Sequence, residues 1–177
     1  MRHFESLEKG IDFSAFQVIF IDSLTVASRR CFAWCKQQPE AFSERTGQPN
    51  PLAAYAMLGY EMTGWLNQFQ HIPGEDIVFT ALLDQRVDDA QRATWHIQCE
   101  GSKTAQEVPG ILDEVVSLVA NSEGQRVFVC QTVNPGNYPA KDRSGRLGLT
   151  EPANLGALLK KIKQPRALVA APVIDLN

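Results

Sequence analysis

Gln17-Val-Ile-Phe-Ile-Asp22 is an apolar run that ends in a carboxylate, with Ser23 directly after it. An apolar strand of this kind holds its terminal Asp rigidly. From there the carboxylate can orient Mg²⁺, usually through a water, beside nucleotide phosphates, which is the Walker B arrangement. Apolar strands that end in Asp are common in α/β proteins, so the pattern is weak when taken alone. Lys141-Asp-Arg143 is a second candidate, with two cations one residue apart in a loop of Pro and Gly. An Arg fork and a Lys point charge suit phosphate, or charge developing on a phosphoryl group. The bland alternative is an exposed basic loop.

Other constellations are poorer. Gly101-Ser-Lys-Thr104 resembles the end of GxxxxGK[ST] but has no glycine directly before the lysine. It reads as a polar loop, and no other segment satisfies the phosphate-cradling pattern. Cys31 and Cys35 lie one helical turn apart, and neither they nor His96 and Cys99 form zinc knuckles. His3, His71 and His96 have no nucleophile elbow or acid at a fixed offset, so a hydrolase triad has no support.

Regular elements must position these groups. Gln17–Asp22 reads as a buried parallel strand. Ser23 or Thr25 can cap a helix through residues 26–38, which Pro39 closes. Residues 39–51 carry three prolines and form an irregular excursion. Pro51 opens a helix over 52–70, with Leu52, Tyr55, Leu58, Met62, Trp65, Leu66 and Phe69 in one buried stripe. A second buried strand, 76–83, ends in Asp84-Gln85. Strand, helix, helix, strand is the grammar of an α/β fold, whose ligand crevice lies beyond the strands' C-terminal ends. Asp22 and Asp84-Gln85 are expected at those ends.

In the second half, 93–99, 114–120 and 126–132 read as strands, the last two forming a hairpin through 121–125. A Pro- and Gly-rich loop, a helix over 153–163 and an apolar tail over 164–177 follow.

Composition supports a single globular unit. The 177 residues are 44% hydrophobic and 21% charged, with net charge −3. Residues 1–140 hold 10 Lys and Arg against 17 Asp and Glu, and residues 141–177 hold 7 against 3. An acidic body with a basic C-terminal end points to an anion-facing or partner-facing end. No apolar run spans a bilayer and the N-terminus has no secretory apolar core. The chain is expected to be cytoplasmic, with Cys31, Cys35, Cys99 and Cys130 as thiols.

Motif order adds a resemblance. IDSLT, then VFTALLDQ, EGSKTAQEVPGILDEVVSLV, QTVNPGNYPAKDRSGRL and EPANLGALLKKI run in series. The series resembles the RecA-like P-loop ATPases of bacteriophages and prophages. These are described as phage nucleotide-binding or AAA-family proteins, and are related to Sak-type annealing proteins. The likeness runs from about Ile11 to Ile162 and is most specific at PGILDEV and YPAKDRSGRL.

The resemblance implies a RecA-like α/β core, with a largely parallel sheet and an appended antiparallel hairpin. It implies ATP and Mg²⁺, with Asp22 as the Walker B carboxylate and metal-side residue and Ser23 following it. Thr80 and Gln85 look like polar sensors of the γ-phosphate. Lys141 and Arg143 look like a KxR finger reaching a neighbouring subunit's ATP, with a homo-oligomeric ring or filament as its setting. The implied role is DNA recombination or replication.

The departure is large. Only 16 residues precede the Walker B strand, so the N-terminal βαβ P-loop unit is missing. The strand carrying the water-activating glutamate is missing too, because Glu5 and Glu8 lie too early. Residues 1–163 then form an incomplete core, and 164–177 a tail. Either the chain is part of a longer one, which Met1 with a partial family match favours, or it is a short form that no longer hydrolyses ATP. Alone, it is expected to bind ATP weakly or not at all, and to expose an apolar cleft beside Val18–Ile21 or cover it in a dimer. The alternative is a non-catalytic assembly subunit that contacts single-stranded DNA or a partner ATPase through its basic end, Lys160, Lys161 and Lys163 included. An unrelated α/β enzyme with a pocket at Asp22 and Asp84 is a third reading, and it lacks a nucleophile–base pair.

Overall fold

In the computed structural model, residues 15–87, 91 and 93–165 are described. The first strand, β1 (Val18–Ile21), leads into helix α1 (Leu24–Cys35). Ser23 caps α1, its hydroxyl accepting the Val26 N–H at 3.3 Å. A short 3₁₀ turn (Pro39–Ala41) and a bridge between Phe42 and Pro49 organise the proline-rich excursion. Helix α2 (Pro51–Gln70) starts with Asn50 as its cap and Pro51 in its first turn, where a missing N–H costs nothing.

Strand β2 (Asp76–Phe79) then pairs in parallel with β1, placing Val18 opposite Asp76 and Ile21 opposite Phe79. The principal core lies between this pair and the helices. Leu24, Leu58, Met62, Leu66 and Val108 are its most enclosed residues, and Ile77 and Phe79 pack on it. The α2 stripe is out of phase at its start. Leu52 is 81% exposed and Tyr55 43% exposed, and Ala54 takes the buried place instead. A straight helix drifts against a fixed three-and-four spacing, so the N-terminal members of the stripe rotate away.

The second expected strand is two. The register with β1 ends at Ile21 opposite Phe79, with a last bond from the Thr80 N–H to Ile21 O, and residues 80–82 belong to no strand. Strand β3 (Leu83–Val87) then pairs antiparallel with β4 (Ala93–Ile97). Asp84 and Gln85 therefore belong to a hairpin, and the residue beyond the end of β2 is Thr80.

The expected polar loop at 101–104 is the start of helix α3 (Ser102–Ile111). Gly101, with φ +77, turns the chain into it, and Thr104 and Val108 bury its inner face. Pro109-Gly110 reads as a stop, yet Pro109 is accommodated in the last turn.

The expected 114–120 strand divides into β5 (Glu114–Val115) and β6 (Ser117–Ala120). As expected from the 121–125 turn, β6 pairs antiparallel with β7 (Arg126–Val129). Asn121 Oδ1 accepts the N–H groups of Glu123 and Gln125, and Gly124 supplies a φ of +77. Strand β8 (Lys141–Asp142) pairs with β5, and β9 (Thr150–Pro152) adds to β7. Helix α4 (Leu155–Ile162), capped by Asn154, closes a second small core with Cys130 and Leu147.

The fold is mixed α/β. Among the described residues β1–β2 is the one parallel pair, and the other pairings are antiparallel in small separate sheets, not one largely parallel sheet. A helical crossover joins β1 to β2, which permits parallel pairing. Five residues of chain separate β3 from β4, and five separate β6 from β7, spans that suit antiparallel pairing and are too short for a parallel crossover. An apolar cleft adjoins the parallel pair. It runs along β2, against α4 and β5, with a volume of about 320 Å³. Beside Val18–Ile21, where an open apolar face is expected, the outer edge of β1 is unpaired among the described residues and Phe20 is 60% exposed. No helix among the described residues is long and apolar enough to cross a membrane.

Candidate functional site at the ends of the parallel strands

Beyond the C-terminal ends of β1 and β2, Asp22 and Thr80 meet. The Thr80 hydroxyl donates to Asp22 Oδ1 at 2.5 Å, across 58 residues of sequence. Both residues are exposed, and the Thr80 hydroxyl engages one of the two Asp22 carboxylate oxygens. The backbone of Thr80 is held from both sides. Its N–H donates to Ile21 O at 3.1 Å and its carbonyl accepts the Leu24 N–H at 2.8 Å. The Asp22–Ser23 peptide is cis, and Ser23 opens α1 immediately beside the pair.

Behind this pair lies a buried polar seam that the sequence reading missed. The Thr25 hydroxyl donates to Gln98 O at 2.7 Å and accepts the Leu82 N–H at 3.0 Å. One turn on, the Ser28 hydroxyl donates to Thr25 O and accepts the Glu100 N–H, each at 3.0 Å. Both side chains are essentially fully buried. Thr25 and Ser28, spaced i and i+3 on the helix face that carries Leu24 and Cys31, were the available signal. Two hydroxyls on a buried face need partners, and these supply them.

Gln85 does not join Asp22 and Thr80. It sits on exposed β3 opposite Trp95. Trp95 stacks on Tyr138 at 5.6 Å between ring centroids, and its backbone N–H donates to Asn137 O, which anchors the 134–140 loop to β4.

Lys141 and Arg143 both turn onto their own chain. Lys141 Nζ donates to the carbonyls of Pro109, Gly110 and Leu112 at 2.8, 3.2 and 2.6 Å. An ammonium has three donors, and all three are used at the C-terminal end of α3. Arg143 is ion-paired with Asp113. Between them, Asp142 accepts from the Ser144 hydroxyl and from the N–H groups of Gly145 and Leu147. Burial alone would raise its carboxyl, but these bonds outweigh burial and hold it below the usual range. Burial raises the neighbouring Glu114, with Asp142 adding to the effect, although the Ser144 N–H works against it. The loop is therefore a folded-back clasp on α3.

The first turn of α3 borders an open cavity of about 490 Å³ against α2, with Tyr55, Gly59, Tyr60 and Asn67 opposite Lys103 and Thr104. Glu107 faces the same space and offsets the lysine. The four cysteines are free thiols. Burial pushes Cys31 up to about 12, with Cys35 adding to it at 4.0 Å, and pushes Cys130 up to about 11.

A family model described as an AAA domain matches residues 7–144. The chain belongs to the AAA domain family. All six candidate residues, Asp22, Ser23, Thr80, Gln85, Lys141 and Arg143, fall inside the matched stretch of this AAA domain. AAA domains are nucleotide-binding modules of the P-loop ATPase type. The matched stretch contains no GxxxxGK[ST] segment. No curated protein matches the chain, and no solved structure does.

Proposed function

We propose that this AAA domain supplies the magnesium side of a RecA-like ATP site of the phage type, used in DNA recombination or replication. The observation that supports it most is the Asp22–Thr80 pair at the ends of two parallel strands. A carboxylate and a hydroxyl there can orient a Mg²⁺-bound water and a γ-phosphate oxygen. Asp22 and Thr80 fit a hydrated magnesium ion because both are exposed and one Asp22 oxygen is uncommitted. Magnesium, when bound, supplies charge neutralisation at the phosphates, and Asp22 holds its water shell in place.

Gln85 has no part in this reading, because β3 carries it away from the strand ends. Lys141 is a clasp residue in the closed loop, and Arg143 is the more available cation, since its ion pair with Asp113 is exposed. With the site's main phosphate cradle absent from these 177 residues, the chain binds Mg²⁺–ATP weakly and does not turn it over alone. A homo-oligomeric, RecA-type assembly of the complete protein is the setting in which Arg143 reaches a neighbouring subunit's ATP. Single-stranded DNA binding through the basic end has less support, because Lys161 pairs with Glu151 and Lys163 with Asp76.

The test is a titration with Mg²⁺ and ATP, followed through the backbone amide signals of residues 20–26 and 78–83. Millimolar affinity with shifts centred on Asp22 and Thr80, lost in Asp22→Asn, is expected. No shift at these residues, or micromolar binding that survives Asp22→Asn, overturns the reading.

A further inference from the structure

The edge of β2 away from β1 is unpaired among the described residues. Asp76 and Thr80 donate their N–H groups to Gln17 O and Ile21 O, on the β1 side. In a parallel ladder, Ile77 and Phe79 therefore turn their N–H and C=O groups the other way. No strand among the described residues pairs there. That edge opens into the cleft of about 320 Å³ whose far wall is α4, through Leu155, Leu158 and Ile162. Unpaired strand groups facing an apolar cleft favour an added strand.

The position of α4 indicates which segment fills it. Lys163, one residue past the helix, pairs with Asp76 at 2.6 Å. This ion pair pins the exit of α4 to the first residue of β2. Residues 166–177 continue from that point and lie outside the described residues. Their sequence is Arg-Ala-Leu-Val-Ala-Ala-Pro-Val-Ile-Asp-Leu-Asn. Starting beside Asp76, a segment that follows the edge runs parallel to β2. Ala167–Ala171 is apolar at every position, as a strand buried on both faces requires, and it extends about 16 Å, enough for the four residues of β2. Pro172 has no N–H to give, so a strand pairing of this segment would end before it. Glu75, beside Asp76 at the cleft mouth, has a buried Oε2 without a partner. Arg166, the first residue of the segment, carries the complementary charge.

We infer that the chain's own segment Ala167–Ala171 docks in this cleft as a strand parallel to β2, with Arg166 facing Glu75. The AAA domain thus covers its open sheet edge with its own C-terminal segment.

Two measurements test this. In the full chain, a benzophenone amino acid placed at position 169 is photo-activated and the cross-link mapped. Cross-links within one chain to residues 75–83 or 155–162 are expected. Dimer-sized products, cross-links elsewhere, or none overturn the inference. Second, amide exchange at Ile77 and Phe79 is compared between the full chain and one ending at Pro165, with α2 amides reporting that the shortened chain is folded. Exchange at least about tenfold faster in the shortened chain, reversed by a synthetic 166–177 peptide, is expected. Equal rates, or protection that depends on protein concentration and persists without the segment, overturn it in favour of a second copy.

Discussion

Replacing Lys141 with alanine separates a clasp from a free outward-reaching finger. Its ammonium meets three carbonyls at the end of α3, and the bonds to Pro109 and Leu112 are partly buried. The bond to Gly110 is exposed, and water replaces it at little cost. Counting the two sheltered bonds at about 1 kcal/mol each, a discounted share of a charged bond's worth, and the cation at a helix C-terminus at about 0.5 kcal/mol gives a loss of about 2.5 kcal/mol. With a urea slope of about 2 kcal/mol/M, the unfolding midpoint falls by about 1.2 M. Arg143→Ala is the internal control. Its ion pair with Asp113 is exposed on both sides, so it costs at most about 0.5 kcal/mol. Equilibrium urea unfolding of the two variants is the assay. A Lys141→Ala loss below about 0.5 kcal/mol, indistinguishable from the Arg143 variant, refutes the clasp.

Four further outcomes are expected. Thr25→Val strands the Leu82 N–H and Gln98 C=O in a buried seam and lowers stability by about 2–3 kcal/mol in the same urea assay. Gly101→Ala forces an alanine to φ +77 with its Cβ 3.3 Å from Leu58 Cδ2, and costs at least about 1 kcal/mol, read as a lower melting temperature. Asp142 has a lowered carboxyl, so its contribution is present above its unfolded value, near about 3.9, and is lost as pH falls through the folded value. The stability gap between wild type and Asp142→Asn, measured by urea unfolding from pH 7 to pH 2, therefore narrows on acidification. Cys31 and Cys130, held protonated by burial, resist iodoacetamide at pH 8 until the protein unfolds, as mass spectrometry of the alkylated chain reports.

Local patterns were legible in the sequence and long-range contacts were not. The run ending in Asp22, the Ser23 cap, the Pro51 helix and the 121–125 hairpin each depend on neighbours within a few residues, and each is where its pattern placed it. Helix α3 was hidden by Pro109-Gly110, which reads as a breaker unless the helix has nearly ended. The break after Phe79 was hidden because Thr80–Leu83 continues an apolar run, whose periodicity cannot show where pairing stops. That left Gln85 assigned to a strand end which Thr80 occupies. The Lys141 contacts span 29 to 32 residues, so KxR spacing alone gave no sign that the lysine is committed to α3.

The hydroxyl seam along α1 has a mechanical consequence. Thr25 grips the segment just past Thr80 through Leu82, and also grips the exit of β4 through Gln98. Ser28 adds a hold on Glu100, directly before the turn into α3. The first two turns of α1 thus act as a stiff crank, joining the strand ends at one side to the β3–β4 hairpin and α3 at the other. Two fully bonded hydroxyls thus hold the segment past the strand ends, the exit of β4 and the turn into α3 at a fixed spacing.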